Sequence, residues 1–412
     1  MAALALLMMV ALAGAAAAPA GAESSGSQPQ PSHREFNVIP VAGGDSDFGI
    51  GAGAVADWAR LSPQSPPFVW RLETGGFISF KLRDGHSVVI PYLDYYLLYS
   101  RPGLGPGGRL RLDLRAAFTK ETTLPFFGIG NATPEPPPGT ALADTEFGRV
   151  RPTVGGNARI TVAQHWFVQG GLQYTHNWMT VRPTSLLAQM QASGPPATRA
   201  LLGNVAESHG VALLAGSVQY DSRDNEIVTR RGMFHALQLR VSPAVKDWLP
   251  YSYQQVTATA RFFFTPWTRW LTISWRVVGD ALLGSPPFYE LGRFDENPAL
   301  GGARGVRGVP ALRYYGKVKL LENFELRSEI WSFSLWRKPM VLGVGAFADS
   351  GRLCAELGRR HPELDGTGWG LKYGLGGGLR LQQGETFVVR FDVAWSPDAH
   401  PVGAYFTAGE IF

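Results

Sequence analysis

The sequence predicts an all-β fold, a sixteen-stranded antiparallel transmembrane β-barrel, and three observations carry that reading. From Phe36 onward, apolar and polar residues alternate with a period of two, in segments of roughly 10 to 14 residues parted by turn residues. The connections between segments alternate in length, with the longest all on one side. The chain opens on an apolar run that ends in small residues at Ala20-Gly21-Ala22, the form of an export signal. A soluble sandwich would alternate as well. What favours lipid outside is the placing of Trp70, Tyr99, Trp166, Trp178, Trp267, Trp270 and Trp395 near segment ends, where interfacial girdles sit. The polar faces also carry many charges, which a packed core could not hold unpaired but a wet lumen can.

Taken in order, residues 1–22 are the signal peptide, 23–35 a disordered periplasmic lead, and 36–412 the barrel. The segments lie near 36–43, 47–60, 67–82, 86–100, 108–119, 146–161, 165–180, 209–221, 231–242, 251–265, 270–284, 316–330, 339–349, 370–382, 386–396 and 402–412. In the fifth, Arg109, Arg111, Asp113 and Arg115 oppose Leu110, Leu112, Leu114 and Phe118. The twelfth sets Lys319, Asn323, Glu325 and Arg327 against Leu320, Phe324, Leu326 and Ile330. The fifteenth sets Arg390 and Asp392 against Phe387, Val389, Phe391, Val393 and Trp395. Connections at 120–145, 181–208, 285–315 and 350–369 are the longest. Barrels of this kind have short periplasmic turns and long outer loops, so an even strand count leaves both chain ends in the periplasm. Phe412 closes the last segment on an aromatic.

Composition excludes several alternatives. With 45% hydrophobic and 17% charged residues, and 12 Trp, 13 Tyr and 23 Phe, the chain is no disordered polymer. The only uncharged apolar stretch near ~18 residues is the N-terminus, which excludes a helical membrane protein. One cysteine, Cys354, excludes a disulfide framework or a multi-cysteine zinc site. A net charge of +5 is too small to mark a nucleic-acid binder. The eight histidines show no metal-ligand spacing, and no nucleophile elbow, zincin or phosphate-loop motif has supporting context. Phe48-Gly49-Ile50-Gly51-Ala52-Gly53 imitates a dinucleotide loop but lies within an alternating segment. His235, on the apolar face of its segment, is the one loose candidate for a barrel hydrolase. The chain is therefore read as a non-enzyme with no cofactor and no metal.

Four stretches resemble a known family. Asp221-Ser222-Arg223-Asp224-Asn225, followed by Arg231-Gly232, is similar to the periplasmic turn between strands eight and nine in the BamA/TamA family, the bacterial surface antigen barrels of outer-membrane assembly and secretion. The loop stretch from Leu300 through Gly301, Gly302, Ala303, Arg304, Gly305, Val306 and Arg307 to Gly308 is similar to that family's loop motif ending in V/L-R-G-F/Y. Asn323-Phe324-Glu325-Leu326-Arg327 resembles its n-x-E-L-R, and Phe347-Ala348-Asp349-Ser350-Gly351 its F-x-D-x-G. A weaker echo is Phe126-Phe127-Gly128-Ile129-Gly130-Asn131.

The resemblance covers residues 36–412 and implies an outer-membrane barrel whose long extracellular loop folds back into the lumen. It implies that Arg307 meets Glu325 and Asp349 there, a structural and gating latch rather than a catalytic site. Alternation agrees, since it points Glu325 and Asp349 inward on neighbouring strands, and a guanidinium supplies bidentate geometry that Lys could not. Arg304 is the alternative occupant, though Arg307 keeps the better spacing to Arg313 and Lys317. Gly305 and Gly308 let the backbone turn tightly. Two departures stand out: Val309 replaces the family's aromatic, and Glu410 replaces an apolar residue in the terminal strand. About 13 residues between signal and barrel leave no room for a periplasmic POTRA module, so no POTRA-mediated partners are expected. The implied partners are outer-membrane lipid and unfolded outer-membrane or secreted proteins; the alternative is a passive channel or structural barrel.

Overall fold

The computed structural model describes residues 32–62, 68–83, 87–135, 139–266, 270–295, 297–335, 338–384, 387–398 and 402–411. The export signal, most of the lead, Trp267 and Phe412 fall outside these. Sixteen long strands form one closed antiparallel wall: β1 His33–Asp45, β2 Gly49–Leu61, β3 Trp70–Arg83, β4 Tyr92–Leu104, β5 Leu110–Pro125, β6 Glu146–Ala163, β7 Trp166–Thr180 and β8 His209–Asp221. The second half is β9 Gly232–Ser242, β10 Tyr253–Phe264, β11 Leu271–Gly284, β12 Val318–Leu335, β13 Lys338–Cys354, β14 Lys372–Gln383, β15 Phe387–Trp395 and β16 Gly403–Ala408. Each strand pairs with its neighbours in sequence, and β1 meets β16 to close the ring. A short strand, Ser87–Val89, pairs with the end of β3 and is parted from β4 at Pro91, which has no N–H to donate.

The two-residue period builds this wall directly. Along β12, Lys319, Leu321, Asn323 and Glu325 are buried inside, while Leu320, Phe324 and Leu326 face out. Closure gives every strand two partners and leaves a mainly apolar outer face, on which Glu322 is held by the Trp275 indole N–H (2.9 Å) and the Ser350 hydroxyl (3.1 Å). On the outer surface Trp166, Tyr220, His235, Phe262 and Trp275 form a belt across five strands, with successive ring centroids 5.2, 6.2, 5.0 and 5.5 Å apart. His235 is thus one ring of an aromatic girdle, which accounts for it without hydrolytic chemistry.

The largest apolar cluster caps the extracellular mouth. Phe126, Ile129, Leu187, Leu201, Leu202, Phe288, Tyr289, Leu291, Tyr315 and Leu364, from four outer loops, pack together. Two short helices, α1 Leu186–Ser193 and α2 Pro196–Leu202, belong to it; Ser185 caps α1 by accepting the Ala188 N–H at 3.3 Å. Backbone bonds from Gly130 to Tyr315 (2.7 Å) and from Ala132 to Leu364 (2.8 Å) tie the loops to one another.

Several boundaries differ from the sequence reading. β1 begins at His33, so the last three residues of the expected lead already pair with Leu61, Arg60 and Ala59. β12 and β13 run on to Leu335 and from Lys338, because a ladder can continue beyond the lipid where no apolar face is required. β16 stops at Ala408 because Gly409 takes a left-handed φ of +81° and turns the chain out of the wall.

Candidate functional site

The outer loop 285–317 is built to carry one arginine. Its motif folds as a tight double turn, with the Gly302 N–H donating to Val309 O (2.8 Å) and the Val309 N–H to Val306 O (3.2 Å). Gly301 has φ +103°, and a Cβ there would lie 2.1 Å from Pro310 O, so no other residue fits. Leu300, Val306 and Val309 pack against Val278, Leu321, Leu353 and Tyr314, so Val309 is buried in an aliphatic cluster at the loop tip.

This turn places Arg307, with no exposed surface, against the inward faces of β12, β13 and β15. Its Nε and Nη2 donate to Asp349 Oδ2 and Oδ1 (2.7 and 3.0 Å), and its backbone N–H adds a bond to Oδ2 (3.1 Å). Nη1 donates to Glu325 Oε1 (2.5 Å) and Asp392 Oδ2 (3.0 Å), and the guanidinium carbon lies 3.4 Å from the Phe347 ring centroid. Three carboxylates around one cation need further positive charge. Arg327 supplies it at Glu325 (2.8 Å), and Arg380 at Asp392 (2.5 Å). Asn323 joins loop to wall, donating to Gly305 O and Asp349 Oδ1, both at 2.8 Å. The Gly308 N–H donates to Tyr405 Oη on β16 (2.9 Å), and its φ of +95° lets the backbone lie against Trp395.

Arg307, Gly308, Glu325 and Asp349 are therefore brought together. Arg304 is not with them: its side chain is exposed, and its backbone carbonyl accepts a bond from Arg276. Arg307 takes the site because the turn aims it at the wall while Arg304 lies on the turn's open side. Arg313 is buried elsewhere, donating to Thr133 O (2.9 Å) and Pro134 O (3.1 Å) between Phe127 and Tyr314, and ties this loop to the loop after β5. Gly305 allows close approach, since a Cβ would lie 2.3 Å from Gly301 O. In the periplasmic turn Arg223 lies on Asp221 (2.9 and 2.7 Å), and Asp224 accepts the N–H groups of Arg230 (3.0 Å) and Arg231 (3.2 Å). A Cβ on Gly232 would meet Ser222 O at 2.3 Å. Sequence reasoning did not find the third carboxylate's bond to Arg307, nor Tyr405. Alternation places both inward, but nothing in a linear sequence shows which groups meet across a lumen.

A second charged cluster anchors the base of the same loop. Glu121 accepts from Arg149 (3.0 Å) and Arg293 (2.8 Å) and lies 3.4 Å from Arg151, all buried. Lys319 meets Asp280 at 2.6 Å.

The wall is uneven at its closure. β1 pairs with β2 over thirteen residues, but with β16 only at Gly44↔Phe406 and Asp45↔Tyr405, helped by the Ser46 N–H donating to Ala404 O (3.1 Å). Inside the wall at this closure lies a lumenal cavity of about 400 Å³, bounded by residues 41–45 and 406–408 on the seam side and by Glu121, Arg151, Arg293 and Pro298 on the other. The tail after β16 turns inward. Ile411 packs on Phe263 and accepts a bond from Arg276 (3.2 Å), while Glu410 lies 3.4 Å from Arg380 and 3.7 Å from Arg327. Among the described residues no group of three or more His, Cys, Asp or Glu forms a metal site.

A closed sixteen-stranded wall with an apolar exterior, girdled by aromatics and holding one of its own loops against its inner face, is an outer-membrane β-barrel. Residues 144–412 match the Omp85 superfamily domain. The chain belongs to the Omp85 superfamily, whose barrels serve outer-membrane protein assembly and translocation. Among solved structures it is similar to BamA from Haemophilus ducreyi lacking POTRA domains 1-3, at 13% identity and a TM-score of 0.60 over 92% of this chain and 70% of that one. It is also similar to CdiB from Escherichia coli (13%, 0.54, 93% of this chain and 64% of that) and CdiB from Acinetobacter baumannii (13%, 0.53, 92% and 60%). The chain thus spans under two thirds of either CdiB chain, and at these identities the likeness is one of fold. No curated protein matches at a significant level.

Proposed function

We propose that this barrel assembles or translocates unfolded proteins at the outer membrane by opening the seam between β1 and β16, while the Arg307 latch keeps the outer loop seated. The observation that carries the reading is the two-rung pairing of β1 with β16. An antiparallel pair with so few backbone bonds is the cheapest place to open the wall. The unpaired edge of β1 below Gly44 presents N–H and C=O groups that a client strand can satisfy by adding itself to the sheet. In hydrocarbon such unpaired groups are costly, which drives pairing with any extended segment that arrives.

The test uses Ala42→Cys with Ala408→Cys, positions that would face each other if the ladder ran two rungs further. Purified barrel in liposomes is given an unfolded outer-membrane barrel, and protease-protected folded client is scored over time. The reduced protein should accelerate folding over empty liposomes, the oxidised protein should not, and a reductant should restore it. Absent acceleration in the reduced protein, with ion conductance in the same vesicles, would leave a passive channel.

A further inference from the structure

The outward face of the first hairpin, at its periplasmic end, contains an arrangement that the seam reading does not use. Arg34 and Arg60 stand directly opposite each other across β1 and β2. Like charges in that position destabilise an antiparallel pair. Among the described residues no carboxylate lies within ion-pair distance of either. The neighbouring Glu35 points to the other face and bonds His33 (3.0 Å), and the side-chain bond Arg60 makes is to Ser32 Oγ (3.2 Å). Aromatic rings lie beside the pair: the Arg34 guanidinium is 6.0 Å from the Trp58 ring centroid, Trp58 meets Trp70, opposite Arg60 on β3, edge-on at 5.4 Å, and Phe36, opposite Trp58, is 68% exposed.

Aromatics mark the height where hydrocarbon gives way to headgroups, and paired guanidiniums present donor geometry suited to phosphate oxygens. We propose that Arg34 and Arg60 together bind the phosphate of an anionic phospholipid in the periplasm-facing leaflet, with its acyl chain against Phe36 and Val38. The phosphate removes the repulsion between the two strands. It also clamps β1 to β2 along the stretch where β1 has no rung to β16, so the lipid acts as a fastener on the free wall of the seam. A protein carboxylate could have done the same; leaving the place open makes hairpin order depend on lipid composition.

The test is lipid retention by the full barrel, taken from detergent into nanodiscs of equimolar phosphatidylglycerol and phosphatidylcholine and read by native mass spectrometry. Wild type should retain phosphatidylglycerol preferentially. Arg34→Gln with Arg60→Gln should weaken that retention about thirty-fold, at roughly 1 kcal/mol for each basic residue near an anionic surface. Arg34→Glu supplies an ion pair to Arg60, so the hairpin stays folded, and it should abolish the preference as well. Hydrogen exchange of the β1 and β2 amides should slow in phosphatidylglycerol relative to phosphatidylcholine in wild type and be insensitive to lipid in Arg34→Glu. Equal retention of the two lipids by wild type, or an unchanged preference in Arg34→Glu, overturns the proposal. No client protein is present, so this outcome is independent of whether the barrel inserts clients.

Discussion

Replacing Arg307 by Ala tests the latch most directly. The side chain donates to Asp349, Glu325 and Asp392 from a position with no solvent exposure, and its planar face covers Phe347. Its removal leaves three buried carboxylates with Arg327, Arg380 and Arg390 as their remaining counter-charges. Breaking one partner out of a buried pair costs about 3–5 kcal/mol, because the stranded charge stays desolvated. The cost falls on seating of the loop rather than on the wall, whose backbone ladders are untouched. Local opening of the loop should therefore rise by a factor of roughly 150 to 5,000, the equilibrium equivalent of that energy. Hydrogen exchange reads this at the Gly302, Arg307, Gly308 and Val309 amides, which are bonded within the turn or to Asp349 and Tyr405. Amides of β6 and β7 serve as an internal control. Arg307→Lys keeps the charge but cannot reach three carboxylates with a fork, and should fall between wild type and Ala. Exchange in Arg307→Ala within threefold of wild type at all four amides would refute the latch.

Tyr405→Phe removes the oxygen that accepts the Gly308 N–H and should leave that buried donor unsatisfied at about 1–3 kcal/mol, raising exchange at Gly308 with little change at Gly302. In the outer loop after β13, the hydrogen bond from His361 to Glu356 (2.7 Å), aided by Glu363 (3.2 Å), raises the His361 pKa above its ordinary 6.5, against the opposing effects of burial and of the Arg359 charge. A raised folded pKa means that the charged clamp is fully present below pH 6.5 and is lost as pH rises through the higher value. Trypsin cleavage at Arg359 and Arg360 should be slow at pH 6 and quicken above it once corrected for the enzyme's own pH profile; His361→Gln should be fast and flat, and a flat wild-type profile would sink this.

The wall was legible because a barrel strand is read one residue at a time. The inward or outward assignment of Leu320, Asn323, Phe324 and Glu325 follows from parity alone, and parity needs no knowledge of the rest of the fold. The latch was legible only through a resemblance of short motifs. Its inward carboxylates on β12 and β13 follow from parity, but the arginine that meets them comes from a loop, where no period constrains direction. Asp392 and Tyr405 show the limit, since their inward facing is readable and their partnership with residues 307 and 308 depends on how far the loop descends.

Glu410 is the position where the sequence contained more than the alternation could express. In a terminal strand running on to residue 412, a carboxylate there is an anomaly, and the structure removes it by ending β16 at Ala408. Gly409 turns the chain, and Glu410 then lies beside Arg327 and Arg380, the two arginines that also serve Glu325 and Asp392. The residues that could have extended the pairing of β16 with β1 are instead held by the same arginines that balance the latch. Seam and latch thus share charge: withdrawing Arg307 leaves Glu325 and Asp392 to draw more strongly on Arg327 and Arg380, and so weakens the hold of the same two arginines on Glu410. An ill-fitting residue in an otherwise regular strand in this case marks where the chain leaves the wall and shares its counter-charges with the latch.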